Sequence, residues 1–127
     1  MTRTVIGLFV VLLTSTAAAA GGDAGRGERV FQRCFACHSV DPAERNLPGP
    51  NLHGVVGRRA AALPEFEYSP AMQALGKTGL VWTDETLARF LTDPQGLVPG
   101  NAMGFFGLPS AQELADLIRY LEGSGRP

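Results

Sequence analysis

RCFACHSV, residues 33–40, contains both cysteines of the 127-residue chain and one of its two histidines. Cys34 and Cys37 are three positions apart, and His38 follows directly. Three residues of these scarce types within five positions indicate a chemical site. The candidates are a disulfide, a redox-active thiol pair, a zinc site and a covalent attachment point for a cofactor.

The first three candidates find little support in the rest of the chain. A disulfide between Cys34 and Cys37 would close a very short loop and would constrain the unfolded chain little. A thioredoxin-type thiol pair is typical of a βαβ context, and the sequence has no strand-rich pattern. A structural zinc site uses four ligands, and only His53 is left to join the motif, with unusual spacing.

Covalent haem fits the motif best, because Cys-x-x-Cys-His is the attachment signature of c-type haem. On helical turns Cys34 and Cys37 face the same side and can reach the two haem vinyl groups as thioethers. His38 then lies under the iron as an axial ligand. The sequence therefore predicts one haem c bound through both cysteines, and its iron needs a further ligand or an open position.

Two methionines are candidates for the second axial position once the initiator is set aside. Met72 lies in a short helix-like run that begins with a proline, where a methionine is expected to pack. Met103 lies in VPGNAMGFFG, residues 98–107, where Gly and Pro exclude a helix and a loop presents the side chain. We predict that Met103 is the ligand.

Residues 1–20 have the pattern of a secretory signal peptide. Arg3 gives a positive start, residues 5–13 are apolar, and a run of small residues ends in Ala-x-Ala. Nine apolar residues are too few to span a bilayer. We predict cleavage after Ala20, a mature domain of residues 21–127, a periplasmic location and no integral membrane insertion.

The composition is that of one small globular domain, with 45% hydrophobic and 18% charged residues and a net charge of −1. Lys77 is the only lysine, so the sequence offers no basic patch for nucleic acid. Sixteen glycines and nine prolines predict long loops. The fold class expected is all-α.

Helical signals occur in four segments. They are residues 24–38 after a possible cap at Asp23, residues 69–76, a segment that starts at Thr83 and ends at Asp93-Pro94, and residues 110–123. The last segment opens with a capping box, Ser110 to Glu113, and Gly123 is expected to stop it.

With these motifs placed, the chain resembles the class I cytochromes c of the small soluble bacterial and mitochondrial type over roughly residues 22–123. The motifs in family order are Gly27-x-x-x-Phe31, the Cys-x-x-Cys-His motif, GPNLHG at 49–54, Gly57-Arg58, Phe66-x-Tyr68-Ser69, Trp82, Asp93-Pro94, Pro99-Gly100-x-x-Met103-x-Phe105 and Leu117-x-x-Tyr120-Leu121. The resemblance implies that the first and last helices cross and that long loops wrap around one covalently bound haem.

The resemblance also implies roles for individual residues. His38 and Met103 would be the axial ligands, and the Pro50 carbonyl would accept the other ring N–H of the histidine. His53 would be a loop residue and not a ligand. The residues implied near the haem are Arg58, Tyr68 and Trp82 around an inner propionate, and Leu52, Phe90 and Phe105 packed on or near the ring. Arg59 is a second candidate for the propionate, and Trp82 also fits a plain core position.

Some positions depart from the family pattern. Phe90 stands where the family often has Tyr, so a hydroxyl near the methionine sulfur is missing, and Met72 replaces a common Asn. Lysines around the haem edge are nearly absent, and Ala102 is uncharged. Arg33 is one basic residue near the attachment site, so we expect a less basic docking surface.

The function implied is a periplasmic one-electron carrier between a membrane or periplasmic donor and a terminal acceptor. We expect a monomer that docks transiently with redox partner proteins. Two permanent axial ligands predict no enzyme activity. The alternatives are an electron-transfer subunit of a larger enzyme, a haem enzyme such as a peroxidase or dehydrogenase, a gas-binding module and a thiol oxidoreductase.

Overall fold

The computed structural model describes residues 21–126, so the predicted signal peptide lies outside the described residues. The helices are α1 (Ala24–Phe31), α2 (Pro70–Lys77), α3 (Asp84–Thr92), α4 (Pro94–Leu97) and α5 (Ala111–Gly123). Within this range the only extended pairing is an isolated bridge between Arg59 and Val81. The all-α prediction is confirmed. None of the helices in residues 21–126 is long and apolar enough to cross a membrane.

Helices α1 and α5 cross in close contact, as predicted. A Cβ atom on Gly27 would collide with the Asp116 carbonyl and lie 2.7 Å from the Tyr120 Cβ, so only glycine allows this approach. The Phe31 and Tyr120 rings stack at a tilt, with centroids 5.4 Å apart. Leu117 is almost fully buried, with 1% of its surface exposed.

A buried carboxylate in the middle of α5 also binds the start of α1. Asp116 is 2% exposed and accepts hydrogen bonds from the Asp23 backbone N–H (2.7 Å), from Arg26 Nε and Nη2 (2.8 and 2.9 Å) and from Gln112 (3.0 Å). The hydrogen bonds from Arg26 lower the pKa of Asp116 to about 2, against the opposing effect of burial. The apolar periodicity of α5 gave no indication of this role.

The first helix is shorter than the sequence suggested. It ends at Phe31, and turns follow over residues 32–37. The backbone N–H groups of Arg33 and Cys34 donate to carbonyls three residues earlier, which tightens the chain relative to an α-helix. The tighter path brings the Cys37 carbonyl to the Gly49 N–H, at 2.8 Å.

The capping of α5 also differs from the prediction. Ser110 Oγ accepts the Glu113 N–H (3.2 Å), but the Glu113 carboxylate binds both terminal nitrogens of Arg33 (2.7 and 2.9 Å). Only half of the capping box is therefore formed. Gly123 is the last helical residue, and Ser124 caps the end.

Helix α3 follows its predicted start and stop signals more closely than α1 does. Thr83 caps α3 and forms a reciprocal capping box with Thr86. Helix α4 was not predicted: the Asp93 side chain accepts the Gly96 N–H, and Pro94 occupies the first helical turn. The Trp82 and Phe90 rings pack in the core with centroids 5.1 Å apart.

Candidate functional site

The two cysteines of the motif lie on the turns after α1. Cys34 is half-buried, Cys37 is exposed, and both are free thiols. Burial raises the pKa of the Cys34 thiol, whereas reactive thiol pairs have a lowered pKa. The arrangement therefore favours attachment over thiol redox chemistry. The His38 backbone N–H donates to the Cys34 carbonyl at 2.9 Å and fixes the histidine relative to the cysteine.

The His38 ring is held on one side by the segment 49–50. Its Nδ1 lies 2.7 Å from the Pro50 carbonyl oxygen, so Nδ1 carries the proton and Nε2 keeps its lone pair. Gly49 forms the wall beside the ring, because a Cβ there would lie 2.5 Å from Cε1 and 2.8 Å from Nδ1. Burial lowers the pKa of His38, which favours the neutral imidazole that binds metals.

Asn51 holds the loop that carries the Pro50 carbonyl, a role that the sequence analysis missed. Its Nδ2 donates to the carbonyls of Asp41 (2.7 Å) and Glu44 (2.8 Å), and its Oδ1 accepts the His53 N–H (2.8 Å). His53, the other histidine, has an exposed side chain, and its Nδ1 lies 3.0 Å from the Val40 carbonyl oxygen. The only sequence signal for Asn51 was its place after Gly-Pro.

Arg58 carries an unsatisfied buried donor. Its Nη2 and Nη1 donate to the carbonyls of Asn51 (2.8 Å) and His53 (3.3 Å), but its buried Nε has no hydrogen-bond partner, the one such side-chain atom among residues 21–126. Burial lowers the pKa of Arg58, and the nearby Tyr68 opposes this shift. Arg59 instead donates to the Gly76 carbonyl at 3.1 Å. A half-buried cation with a buried spare donor fits an anionic group such as a carboxylate.

The other predicted propionate contacts differ in how they are held. The Tyr68 hydroxyl accepts the Leu63 N–H at 3.3 Å, so its own proton remains available to donate. Trp82 is 7% exposed and packs against Phe90, which also fits the core role considered for it. The structure thus brings Arg58 and Tyr68 together and leaves Trp82 as a buried wall.

Met103 is presented by the loop between α4 and α5. Its side chain is half-buried, and with Leu52 and Phe105 it packs against the hydrophobic core. Gly107 allows the loop to pass close to the end of α3. Its φ is +108°, and a Cβ there would collide with the Thr92 carbonyl. Met72 lies on α2 and also packs against the core.

These residues together fit a covalently bound haem. Two thiols precede a histidine whose Nε2 is free for iron, a loop presents a thioether, and a buried guanidinium Nε is available for a propionate. The backbone of Gly49 lies close to one side of the ring, where no larger residue would fit.

Known proteins resemble this chain in both sequence and fold. Residues 24–124 match the family profile described as "Cytochrome c". Cytochrome c2 from Agrobacterium tumefaciens (strain II Chrys) is 44% identical over 100 residues, which cover 79% of this chain and 90% of that protein. Cytochrome c2 from Blastochloris viridis is 40% identical over 122 residues, 96% of this chain and 93% of that protein. The structure of cytochrome c2 from Rhodospirillum centenum superposes with a TM-score of 0.78 at 37% identity and covers 83% of this chain and 100% of that one.

Proposed function

The chain belongs to the cytochrome c family, and on this premise we propose that it is a periplasmic one-electron carrier with His38 and Met103 as axial ligands of its haem. The family binds haem c covalently and consists of electron-transfer proteins, not enzymes. Haem c supplies reversible one-electron exchange at its iron. The protein residues set the ligand geometry, exclude water and present a surface to partners.

The hydrogen bond between His38 and Pro50 is the observation that carries the proposal. At 2.7 Å it fixes the proton on Nδ1 and directs the Nε2 lone pair to the opposite side of the ring. The close approach of Gly49 to the ring leaves no space for a side chain beside it. A ligand that keeps one orientation in both oxidation states keeps the reorganisation on electron transfer small.

Met103 supplies the second ligand in this proposal. A thioether opposite an imidazole raises the reduction potential. With both axial positions filled by side chains, no position is left for a substrate. The half-buried Leu52 and Phe105 would shield the site from water, and an apolar surrounding favours the less charged reduced form.

Arg58 and Tyr68 would hold the inner propionate. The spare Nε of Arg58 supports this role, because a buried guanidinium donor without an acceptor is costly. Trp82 would close the same side of the site as a buried aromatic wall. Arg59 is assigned no role at the propionate, since its guanidinium is bound to Gly76.

The docking surface would be weakly charged. Glu113 binds the guanidinium of Arg33, the basic residue beside the attachment motif. No charged residue occurs in residues 94–112, and Phe106 in this loop is 95% exposed. We therefore propose transient partners that dock through a small, largely apolar contact near Met103. The signal-peptide pattern of residues 1–20 supports the periplasmic location.

The optical spectrum of the mature protein, made with haem-attachment machinery, tests the proposal. We expect a c-type reduced spectrum and, in the oxidised form, the weak near-red band of ferric iron bonded to methionine sulfur. A c-type spectrum without that band would refute the His/Met assignment. Failure to bind haem in a host that matures other c-type proteins would refute the carrier.

A pair of variants decides which methionine is bound. Met103→Ala should open the iron to rapid CO binding in the ferrous form, because the bond that excludes CO is gone. Met72→Ala, which removes the same side chain from α2, should leave CO excluded. The reverse pattern would transfer the assignment to Met72.

A further inference from the structure

A buried side-chain amide lies two residues before Met103. Asn101 is 8% exposed, and both ends of its amide are hydrogen bonded. Its Oδ1 accepts the Met103 backbone N–H at 2.9 Å, and its Nδ2 donates to the carbonyls of Pro94 (3.1 Å) and Val98 (2.9 Å). One amide therefore connects the Met103 backbone to the segment that begins at α4.

A second amide supports the first from the outside. The Nε2 of Gln95 donates to the Asn101 carbonyl at 3.2 Å, and its Oε1 accepts the Gly100 N–H at 2.9 Å. Gly100 has φ +83°, in the left-handed region that favours glycine. Asn101 and Gln95, here called the amide pair, therefore hold residues 100–103 from two sides.

The partners of the amide pair are buried. Pro94 is among the most completely buried residues, and Val98 is 3% exposed. Asp93 caps α4 by accepting the Gly96 N–H at 3.0 Å. Among the side chains of residues 21–126, only that of Asn101 is hydrogen bonded to the Met103 backbone, and it connects this backbone to the core.

The Met103 side chain is held by packing and not by a hydrogen bond. None of the hydrogen bonds formed within residues 21–126 reaches the sulfur; Met103 takes part only through its backbone N–H. His38 differs, because its own ring is bonded to Pro50. The position of the thioether therefore follows from the conformation of the loop backbone, which the hydrogen bonds of the amide pair hold.

We propose that Asn101 is a positioning residue for Met103, which keeps the thioether at the iron by fixing the loop; this rests on the ligation by Met103 proposed above. Gln112 offers a comparison outside both ligand loops, because it is also a hydrogen-bonded amide: its Nε2 donates to Asp116 on the same helix at 3.0 Å. Since this bond lies within α5, loss of the Gln112 amide should leave ligation unchanged.

The test uses holoprotein variants and two readouts well below the unfolding midpoint: CO binding to the ferrous form and the near-red band of the ferric form. Asn101→Ala should raise the fraction of CO-accessible iron by about tenfold or more, because three hydrogen bonds that hold the loop are lost. Gln95→Ala should raise it by roughly threefold. Gln112→Ala should stay within about twofold of the parent.

The other outcomes decide between a positioning role for Asn101 and its alternatives. Parent-like CO binding and an intact near-red band in Asn101→Ala would refute the positioning role. Equal opening in Gln112→Ala would show general loosening and refute it as well. If Asn101→Ala fails to mature, parent-like behaviour of Gln95→Ala refutes the role, and its expected opening supports it. Met103→Ala separates the two proposals, because CO exclusion in that variant would refute the ligand assignment itself.

Discussion

The crossing of α1 and α5 and the two loops that carry His38 and Met103 are stabilised by different kinds of contact. At the crossing, helix surfaces meet through Gly27, an aromatic pair and the buried carboxylate of Asp116. In the loops, backbone carbonyls and N–H groups are tied by single amides, Asn51 and Asn101. The difference suggests that the crossing controls stability and the loops control ligation, which substitutions can separate.

The largest effect is expected at the crossing. Gly27→Ala should lower the free energy of unfolding by about 3 kcal/mol, the upper part of the usual range for overpacking, because its new methyl group would collide with the Asp116 carbonyl. Chemical denaturation of the holoprotein measures this loss. The near-red band of the folded protein should remain unchanged, since the loops are not touched.

Gly25→Ala is the matched control on the same helix. A Cβ there would lie 3.4 Å from the Asp23 Oδ1, an ordinary contact. The variant should gain roughly 0.5–1 kcal/mol, because alanine is the better helix former. Equal losses in Gly25→Ala and Gly27→Ala would show that close approach of the helices is not what Gly27 provides.

The crossing was predictable because it follows from periodic patterns. Leu117 and Leu121 repeat at helical spacing, and Gly27 and Phe31 lie one turn apart on α1. Such patterns report which face of a helix is buried. They do not report where a helix gives way to tighter turns, so the predicted extension of α1 to His38 was wrong.

The loops were predictable only where a residue type is diagnostic. The cysteines and His38 stood out by type and spacing, and Met103 by its surroundings of Gly and Pro. Asn51 and Asn101 did not, since an asparagine in a loop has many uses and its partners here are backbone groups. Asp116 was missed for a similar reason, as its Arg26 partner is 90 positions away.

An intermediate effect is expected in the His38 loop. Gly49→Ala would place a methyl group 2.5 Å from the ring Cε1, so the ring must move and the bond to Pro50 must lengthen. An imidazole that donates less well to a carbonyl is a weaker ligand for ferric iron. The reduction potential should therefore rise, by roughly 60 mV if the preference of the ligand for ferric over ferrous iron falls tenfold. Potentiometric titration measures the shift.

Gly104→Ala is the control in the other loop. Nothing lies within 4 Å of a Cβ at Gly104, although the residue directly follows Met103. Its potential should match that of the parent. A potential shift in Gly104→Ala as large as that in Gly49→Ala would contradict the view that contact with the His38 ring is the cause.

A smaller effect is expected from Asp116, and it is present near neutral pH and lost in acid. Its folded pKa of about 2 lies below the ordinary value of 3.8, so the unfolded chain binds the proton more readily. The stability that Asp116 contributes is therefore fully present above about pH 4 and is lost as the pH falls towards 2. Asp116→Asn should be less stable than the parent near neutral pH, and the gap should close over that interval.

The exposed pair of Arg33 and Glu113 completes the comparison. Glu113→Gln breaks an ion pair that is largely open to solvent, so its gap to the parent near neutral pH should be smaller than that of Asp116→Asn. Denaturation curves at several pH values give both gaps. A gap for Asp116→Asn that stays constant from neutral pH to pH 2 would mean that packing, and not the charge on the carboxylate, is what Asp116 adds to the crossing. In that case the charge on Asp116 would have no part in the stability of the crossing, which would then depend on close helix contact.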